Sequence, residues 1–285
     1  MPPRAGFRRA KLGSIHAITF GDPERVPVPL LLAALLGAAG CNSYPTDVTP
    51  YPGLCPKMYV ADWSPPEGAV DVPVDATIKV TFSDYPDPDS VGEPSMLLTT
   101  GVFRLPETYR VDLAEKAVTM RPDGVLDTDL GYTVTVTQNV VSLAGCSGPT
   151  TGREFTTGQH ASNLLTPAAP PLANVQAIFD ASCAGSSCHI DPSGGCLAAP
   201  YGGLSLCAAE ARDALVDVPS REVGSLALVA PLDSARSYLL RKLLPATAGG
   251  GPIPGTLGQR EPPGPPLPAD QILTIAAWID GGALP

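Results

Sequence analysis

Hydrophobic and polar residues alternate through much of the stretch 58–158, and this alternation predicts β-strands. In "ATIKVTF", Ile78, Val80 and Phe82 fall on one face while the residues between them are polar. The stretch "GYTVTVTQNVV" alternates in the same way, and turn-forming groups such as "PPEGA", "DYPDPD" and "RPDG" separate the runs. Short strands divided by regularly spaced turns favour an all-β sandwich.

The pattern changes to a helical period after residue 173. Apolar residues recur at helical spacing in four stretches, which are "NVQAIFDASC", "AAEARDALVDV", "SARSYLLRKLL" and "ADQILTIAAWID". Ser234 is the predicted N-cap of the third helix, and Gly281 and Gly282 are the predicted stop of the fourth. The second region is therefore predicted to be small, helical and rich in loops, and such a region gains stability from a large apolar cofactor or from disulfides.

Composition adds linkers to this picture, because the chain holds 34 Pro and 29 Gly in 285 residues. We therefore expect two folded domains connected by irregular segments. The predicted division is a signal peptide over 1–40, a tether over 41–57, a β-domain over 58–158, a linker over 159–173 and a helical domain over 174–285.

The N-terminal segment has the pattern of an export signal. Basic residues precede an apolar run from Leu30 to Gly40, which is too short to cross a bilayer but suits a signal peptide. The stretch "GAAGC" then resembles the lipobox of bacterial lipoproteins, which implies that the thiol of Cys41 carries a lipid and anchors the chain to a membrane. The alternative is an ordinary cleaved signal in which Cys41 has no such role.

Charge excludes nucleic acid as a partner. The net charge is −10, and residues 1–40 hold five Lys or Arg against two acidic residues, so the remainder has a net charge of −13. An acidic chain offers no basic surface to replace phosphate counterions. The predicted location is the cell envelope, facing the periplasm or the cell surface, with the lipid bilayer as partner through acylated Cys41.

Seven cysteines are an informative number in an exported chain. Lipidation of Cys41 would leave six, an even number, and export predicts an oxidising compartment in which cysteines pair. The six are Cys55, Cys146, Cys183, Cys188, Cys196 and Cys207.

The β-domain resembles the bacterial Ig-like domains of cell-surface proteins of the SbsA type. The resemblance is carried by "SPPEGAVDVPVDATIKVTFSD", by "AVTMRPDGVLDTDLGYTVTVTQNVVSLAGC" and by "REFTTG". It implies an Ig-like sandwich that acts as a spacer or an adhesive module. Cys146 departs from the family, which commonly has Asn there, and we expect it to pair with Cys55 and to join the first strand to the last turn.

The turn "DYPDPDSVGE" groups four acidic residues, Asp84, Asp87, Asp89 and Glu93. Clustered carboxylates are ligands that Ca²⁺ prefers. A solvated turn held by side-chain to backbone hydrogen bonds is the favoured interpretation.

The stretch "SCAGSSCHI" contains half of a haem-attachment signature, because His189 directly follows Cys188. The usual spacing is C-x-x-C-H, with two thiols that bond to the haem vinyl groups and a histidine that binds the iron. Here Cys183 and Cys188 are separated by Ala-Gly-Ser-Ser, which is small and flexible enough to loop out.

The helical region as a whole resembles a small all-α cytochrome c-like domain found in bacterial lipoproteins. The matching stretches are "IFDASCAGSSCH", "GGLSL", "PLDSARSYLLRKLL", "GPIPG" and "ILTIAAWIDGGA". The resemblance implies one covalent haem c per chain, with thioethers from Cys183 and Cys188 and with His189 on the iron. It also implies that the first and last helices cross, so that Trp278 and Ile279 pack against Ile178 and Phe179.

The loop that carries the sixth iron ligand departs from this family. The family has Met where this chain has Ile253, and isoleucine cannot bind iron. The four methionines, Met1, Met58, Met96 and Met120, all lie outside the helical region. A bound haem would then be five-coordinate, or would take Lys242 or His160 as its sixth ligand.

Two other interpretations of the same cysteines remain open. Zn²⁺ could be held by His189 and by Cys183, Cys188, Cys196 and Cys207, although their spacings match no common zinc motif. A Cys183–Cys188 disulfide in a cytochrome domain that has lost its haem is the plainer interpretation. Cys196 and Cys207 flank "LAAPYGGLSL" and are expected to pair with each other.

The predicted function is therefore that of a lipid-anchored envelope protein with one haem c, an electron carrier or a haem-based ligand sensor rather than a catalyst. The sequence contains no nucleophile elbow, P-loop or zinc-protease helix, and it does not specify the redox partner. The alternative is a haem-free surface lipoprotein in which both domains serve binding or structure.

Overall fold

Nine β-strands in the described part of the chain form two sheets that pack face to face. The structure, a computed structural model, describes residues 55–162, 167–248, 250 and 252–285. The predictions for the signal peptide, for the lipidation of Cys41 and for most of the tether lie outside these residues.

The strands are short, as the spacing of the turns predicts. Their bounds are β1 Val60–Ser64, β2 Ala69–Val72, β3 Ile78–Phe82, β4 Met96–Thr100, β5 Phe103–Arg104, β6 Glu107–Asp112, β7 Ala117–Pro122, β8 Gly131–Val136 and β9 Thr151–Thr157. One sheet has the order β1-β3-β7-β6, and the other has the order β2-β9-β8-β4-β5.

The apolar face of each central strand points between the sheets. Ile78, Val80 and Phe82 of β3 are buried, and Val80 lies opposite Val118 of β7 in an antiparallel pair. Tyr132 stacks on Phe155 across the other sheet with ring centroids 5.6 Å apart. The alternation in the sequence is confirmed, because side chains on a strand point to opposite faces and only one face meets the core.

Four α-helices follow in the described residues, and they are shorter and more interrupted than predicted. They are α1 Leu172–Ser182, α2 Ala211–Leu215, α3 Tyr238–Leu243 and α4 Ala269–Asp280. The fourth starts after Pro268 and ends at Asp280, with Gly281 as its C-cap, as expected.

The third predicted helix is divided in the structure, and its predicted cap is wrong. A short 3₁₀ turn over Ser234–Arg236 precedes α3, and Asp233 caps that turn by accepting a hydrogen bond from the backbone N–H of Arg236. The hydroxyl of Ser234 instead donates to the carboxylate of Asp280 at 3.0 Å. A tertiary partner therefore takes the side chain that the sequence pattern assigned to a local cap.

The first and last helices pack together, as the crossing of terminal helices predicts. Ile178 and Phe179 of α1 share one buried cluster with Trp278 and Ile279 of α4. The ring N–H of Trp278 donates to the carbonyl oxygen of Leu284 at 2.8 Å, so the largest buried side chain of this core has its polar atom satisfied.

The helical region shares its core with the sandwich. Tyr85 and Leu113, both from the sandwich part of the chain, are buried in the same cluster as the helices. The described strands and helices belong to one compact unit. A distinct all-α domain is therefore not evident, because the helices are few and short and bury part of their apolar surface against the β-domain.

None of the helices in the described ranges combines the length and the apolar character that crossing a bilayer requires.

Candidate functional site

A cavity of about 540 Å³ lies in the helical region. Cys183, Cys188 and His189, the three residues of the predicted haem signature, all line it. Its volume falls within the roughly 300–1,000 Å³ typical of small-molecule and cofactor sites. The structure therefore brings the sequence-predicted residues to the wall of a space that can hold a sizeable ligand.

The segment 183–190 is a closed turn that follows α1. The backbone N–H of His189 donates to the carbonyl of Cys183 at 3.2 Å, and that of Cys188 donates to Gly185 at 3.0 Å. A Cβ added at Gly185 would lie 2.8 Å from the sulfur of Cys188, so a larger residue there would have to displace that side chain. The small residues of the spacer allow both cysteines and the histidine to face one cavity.

The imidazole of His189 is held in one tautomer. Its Nδ1 lies 2.9 Å from the carbonyl oxygen of Leu204, and because a carbonyl only accepts, Nδ1 carries the hydrogen and Nε2 keeps a lone pair. Burial lowers the pKa of His189, the hydrogen bond to Leu204 opposes this change, and the charge of Lys242 adds to it. A neutral imidazole whose second nitrogen donates to a carbonyl has the usual arrangement of a metal-binding histidine.

The two cysteines of the signature differ in state. Cys183, at the C-terminal end of α1, has a free thiol, and burial raises its pKa to about 12, with smaller contributions from Glu261 and Asp180. Cys188 is disulfide-bonded. The predicted alternative of a Cys183–Cys188 disulfide is therefore wrong for this structure, because Cys183 remains a thiol at the cavity wall.

Apolar side chains form most of the remaining wall. They come from α1, from α3 and from the loops that connect the helices, and they include Phe179, Leu206, Leu228, Leu239, Leu243 and Leu267. A wall of this composition excludes water and favours an apolar, flat or bulky ligand over a small charged one.

Polar side chains are gathered on another part of the wall. The hydroxyl of Tyr238 donates to the carboxylate of Glu222, and the ammonium of Lys242 lies 3.5 Å from the same carboxylate. Burial, followed by the hydrogen bond to Glu222, raises the pKa of Tyr238 above its usual range. Tyr238 therefore stays a neutral hydrogen-bond donor.

Lys242 does not fit the role of a sixth iron ligand. Its ammonium donates to the carbonyl oxygens of Leu257 and Gln259, each at 2.7 Å, in addition to its ion pair with Glu222. An ammonium group has three donors, and these contacts use all of them. Through these hydrogen bonds Lys242 instead stabilises the loop after α3.

His160, the other candidate for the sixth ligand, and Ile253, which stands where the family has Met, also lie elsewhere. His160 is half-exposed and pairs with Asp71 of β2 at 3.4 Å, and neither it nor Ile253 lines the cavity. Ile253 is buried in the helical core. Met58, Met96 and Met120 are buried in the sandwich, so no methionine of the described residues reaches the cavity.

Two predicted disulfides are present. Cys55 pairs with Cys146 across 91 positions, and Cys196 pairs with Cys207 across 11. The zinc interpretation is contradicted, because the sulfurs of Cys196 and Cys207 are bonded to each other and cannot act as thiolate ligands.

The acidic turn after β3 satisfies its carboxylates with protein donors. Asp84 accepts from the backbone N–H of Ala248 at 3.2 Å, and Asp87 accepts from that of Asp89 at 3.1 Å. Asp89 forms an ion pair with Arg236 at 2.8 Å. These contacts agree with a hydrogen-bonded turn, which is the favoured interpretation of the sequence.

Several cavity residues had no signal in the sequence. Tyr201 packs edge-on to His189 with ring centroids 6.1 Å apart, and Glu222 and Glu261 come from irregular segments. Residues in loops show no periodicity, so their approach to one cavity depends on how the helices pack.

Comparison with protein families identifies the sandwich. Residues 57–157 match the family model described as a bacterial Ig-like domain. This match covers the two sheets, so the sandwich is an Ig-like domain, as the sequence resemblance predicted. No curated protein matches the chain.

Solved structures resemble the same part of the chain at low identity. The N-terminal part of the bacterial S-layer protein SbsC is 20% identical over 40% of this chain and 25% of that one, with a TM-score of 0.30. The copper resistance protein PcoC from Escherichia coli is 18% identical over 35% of this chain and 98% of that one, with a TM-score of 0.30. L,D-transpeptidase 1 from Mycobacterium tuberculosis is 25% identical over 36% and 40%, with a TM-score of 0.26. The chain thus spans about a quarter of the S-layer fragment. TM-scores this low do not indicate a shared function.

The bacterial Ig-like domain and the two disulfides indicate an extracytoplasmic protein, since disulfides persist in oxidising compartments.

Proposed function

We propose that this protein is an envelope protein that carries one covalently bound haem c in the cavity of its helical region. One observation supports this proposal above the others. Cys183, Cys188 and His189 lie close together in sequence in an attachment-like signature and line the same large, mainly apolar cavity. In this proposal the haem supplies one-electron chemistry, or a binding site for a small ligand, and the chain acts as an electron carrier or sensor.

The donor set of the cavity fits a haem. Two cysteine residues and an imidazole are the groups that covalent attachment and iron binding require. The Nε2 lone pair of His189 is available, since Nδ1 is committed to Leu204. The apolar wall matches the faces of a porphyrin and keeps water from the metal.

The sixth coordination position has no protein ligand in this proposal. Lys242 has its three donors engaged, and the described cavity wall offers no methionine and no second histidine. An open position favours exchange of water or of a small diatomic ligand, and it makes ligand sensing as reasonable a role as electron transfer.

Membrane attachment through a lipid on Cys41 completes the proposal. It is supported by the "GAAGC" stretch after a short apolar run. The Ig-like domain would then hold the cavity at a distance from the bilayer, where an envelope redox protein could reach it.

A haem-free envelope protein is the alternative, and one observation favours it. Cys188 is disulfide-bonded in the structure, whereas thioether formation needs it as a thiol. Haem attachment therefore requires that the disulfide of Cys188 be reduced before the haem is added.

Expression of the full chain together with a cytochrome c maturation system tests the proposal. We expect a coloured protein, a pyridine haemochrome spectrum typical of haem c, and a mass increase of one haem on the peptide with Cys183 and Cys188. A colourless protein without this mass increase would support the haem-free alternative.

Matched variants make the result specific to the cavity. His189→Ala is expected to change the iron spectrum, while His160→Ala, the other histidine of the described residues, is expected to leave it unchanged. A double Cys183→Ser and Cys188→Ser variant is expected to lose covalent haem. Covalent haem in that double variant would place the attachment elsewhere.

A further inference from the structure

Glu261 lies on the wall of the cavity that Cys183 and His189 also line. Its backbone N–H donates to the carbonyl oxygen of Lys242 at 2.8 Å, which fixes this residue against the end of α3. Lys242 also holds the loop before Glu261 through its contacts with Leu257 and Gln259. The backbone position of Glu261 is therefore set by these contacts.

Charged and titratable groups reach this part of the cavity from each neighbouring element. On the cavity wall they are Lys242 and Tyr238 from α3, Arg221 and Glu222 from the segment before α3, Asp213 from α2, Cys183 from the end of α1 and His189 from the turn after it. Arg260, the residue before Glu261, acts on it through its charge. Glu222 is occupied by Tyr238 and Lys242, whereas no side-chain hydrogen bond or ion pair holds the carboxyl of Glu261 among the described residues.

The surroundings of Glu261 disfavour its charged form. Burial is the main cause that raises the pKa of Glu261 above 4.5, and the charge of Glu222 acts in the same direction. Lys242 and Arg260 oppose this rise without cancelling it. Charges interact strongly where water is excluded, so the protonation of this carboxyl responds to other charges in the cavity.

We propose that Glu261 is a redox-linked proton site, which takes up a proton when a haem iron in this cavity gains an electron and releases it when the electron leaves. The proposal rests on the proposed haem function. The step balances: a one-electron donor protein of the envelope is oxidised, the iron is reduced, and water supplies one proton to the carboxylate of Glu261. Reduction removes one positive charge from the cavity, so the carboxylate loses stabilisation and binds a proton more tightly.

The midpoint potential of the haem-loaded protein, measured by spectroelectrochemistry at several pH values, tests this proposal. We expect a midpoint potential that is constant at low pH, then falls with rising pH by up to about 59 mV per pH unit, and becomes constant again at higher pH. The Glu261→Gln variant is expected to lose this fall. A pH-indicator dye should report proton uptake on reduction of the wild type and not of this variant.

Two variants separate Glu261 from general charge effects. Glu222→Gln removes another carboxylate from the same wall, and it is expected to shift the potential while the fall with pH remains. Glu261→Asp, which keeps a carboxyl, is expected to retain the fall. This proposal alone would be overturned by a haem-loaded wild type whose midpoint potential does not change with pH. It would also be overturned by a Glu261→Gln variant whose midpoint potential still falls as the pH rises. A colourless wild type would overturn the haem function together with it.

Discussion

Tyr85 of the Ig-like domain donates a hydrogen bond from its hydroxyl to the carbonyl oxygen of Pro245, 160 positions later in the chain, at 3.2 Å. Its ring is buried in the helical core, and the ammonium of Lys116 lies 4.6 Å from the ring centroid. The adjacent Asp84 accepts from the backbone N–H of Ala248. The start of the loop that forms one side of the cavity is therefore attached to the Ig-like domain.

Tyr85→Phe removes the hydroxyl and leaves the ring. The carbonyl oxygen of Pro245 then loses a partner in a partly buried position, and we expect the free energy of unfolding to fall by about 1 kcal/mol. Urea titration followed by tryptophan fluorescence measures this change. Tyr59→Phe is the control, because Tyr59 is 60% exposed and should change stability little. Equal effects of the two substitutions would argue against a specific role for the contact.

Asp280 joins the two parts of the molecule at a second point. Its buried carboxylate accepts from the backbone N–H and the hydroxyl of Ser234, at 2.9 and 3.0 Å, and it forms an ion pair with Arg110 of β6. We expect Asp280→Ala to lower the free energy of unfolding by about 2–3 kcal/mol, since hydrogen bonds to a charged group are lost. Arg110→Ala should cost less than about 1 kcal/mol, because the arginine is largely exposed. Thermal unfolding of both variants measures the difference, and a larger effect at Arg110 would contradict this explanation.

The Cys55–Cys146 and Cys196–Cys207 disulfides should differ in their contribution to stability. In the chain-entropy model, closing 91 positions between Cys55 and Cys146 stabilises by roughly 4.6 kcal/mol, and closing 11 between Cys196 and Cys207 by roughly 3 kcal/mol. Paired Cys→Ser variants, each compared with the wild type by chemical denaturation, test this order. A reversed order would indicate that local structure in the unfolded chain outweighs loop entropy.

The thiol of Cys183 should resist alkylation in the folded, haem-free protein. Its pKa is raised from 9.0 to about 12, so the reactive thiolate is scarce at pH 8. The pKa of Cys183 is higher in the folded than in the unfolded protein. The neutral thiol therefore stabilises the folded state fully below pH 9, and this stabilisation is lost as the pH rises from about 9 to 12. Iodoacetamide labelling, mapped by peptide mass, should be slow in buffer and fast in urea. Rapid labelling of Cys183 in the native protein at pH 8 would contradict this burial.

The strands were predictable because each one needs only its own alternation to define a buried face. Val80 and Val134 are buried where the pattern expects them, and the turn groups fall between the strands. The helices were less predictable, because α2 and α3 are too short to be stable alone and depend on tertiary contacts. The assignment of Ser234 failed for this reason: its partner, Asp280, is distant in sequence.

The candidate site was predictable only where its residues are adjacent in sequence. Cys183, Cys188 and His189 form a local signature, and the structure brings them to one cavity. Glu222 and Glu261 belong to no motif, and they reach the same wall through the packing of α3 and its loop. Lys242 donates hydrogen bonds to two carbonyl groups of that loop, and these contacts likewise depend on how the loop folds.

The sequence by itself determined the Ig-like sandwich, the two disulfide pairs and the local signature at the end of α1, because each depends on short-range patterns or on the pairing of few cysteines. Only the tertiary structure decided that Tyr85 and Leu113 complete the helical core, and that a cavity opens beside His189. The physical reason is that short helices bury too little surface on their own. Their arrangement is set by distant side chains, which no local pattern records.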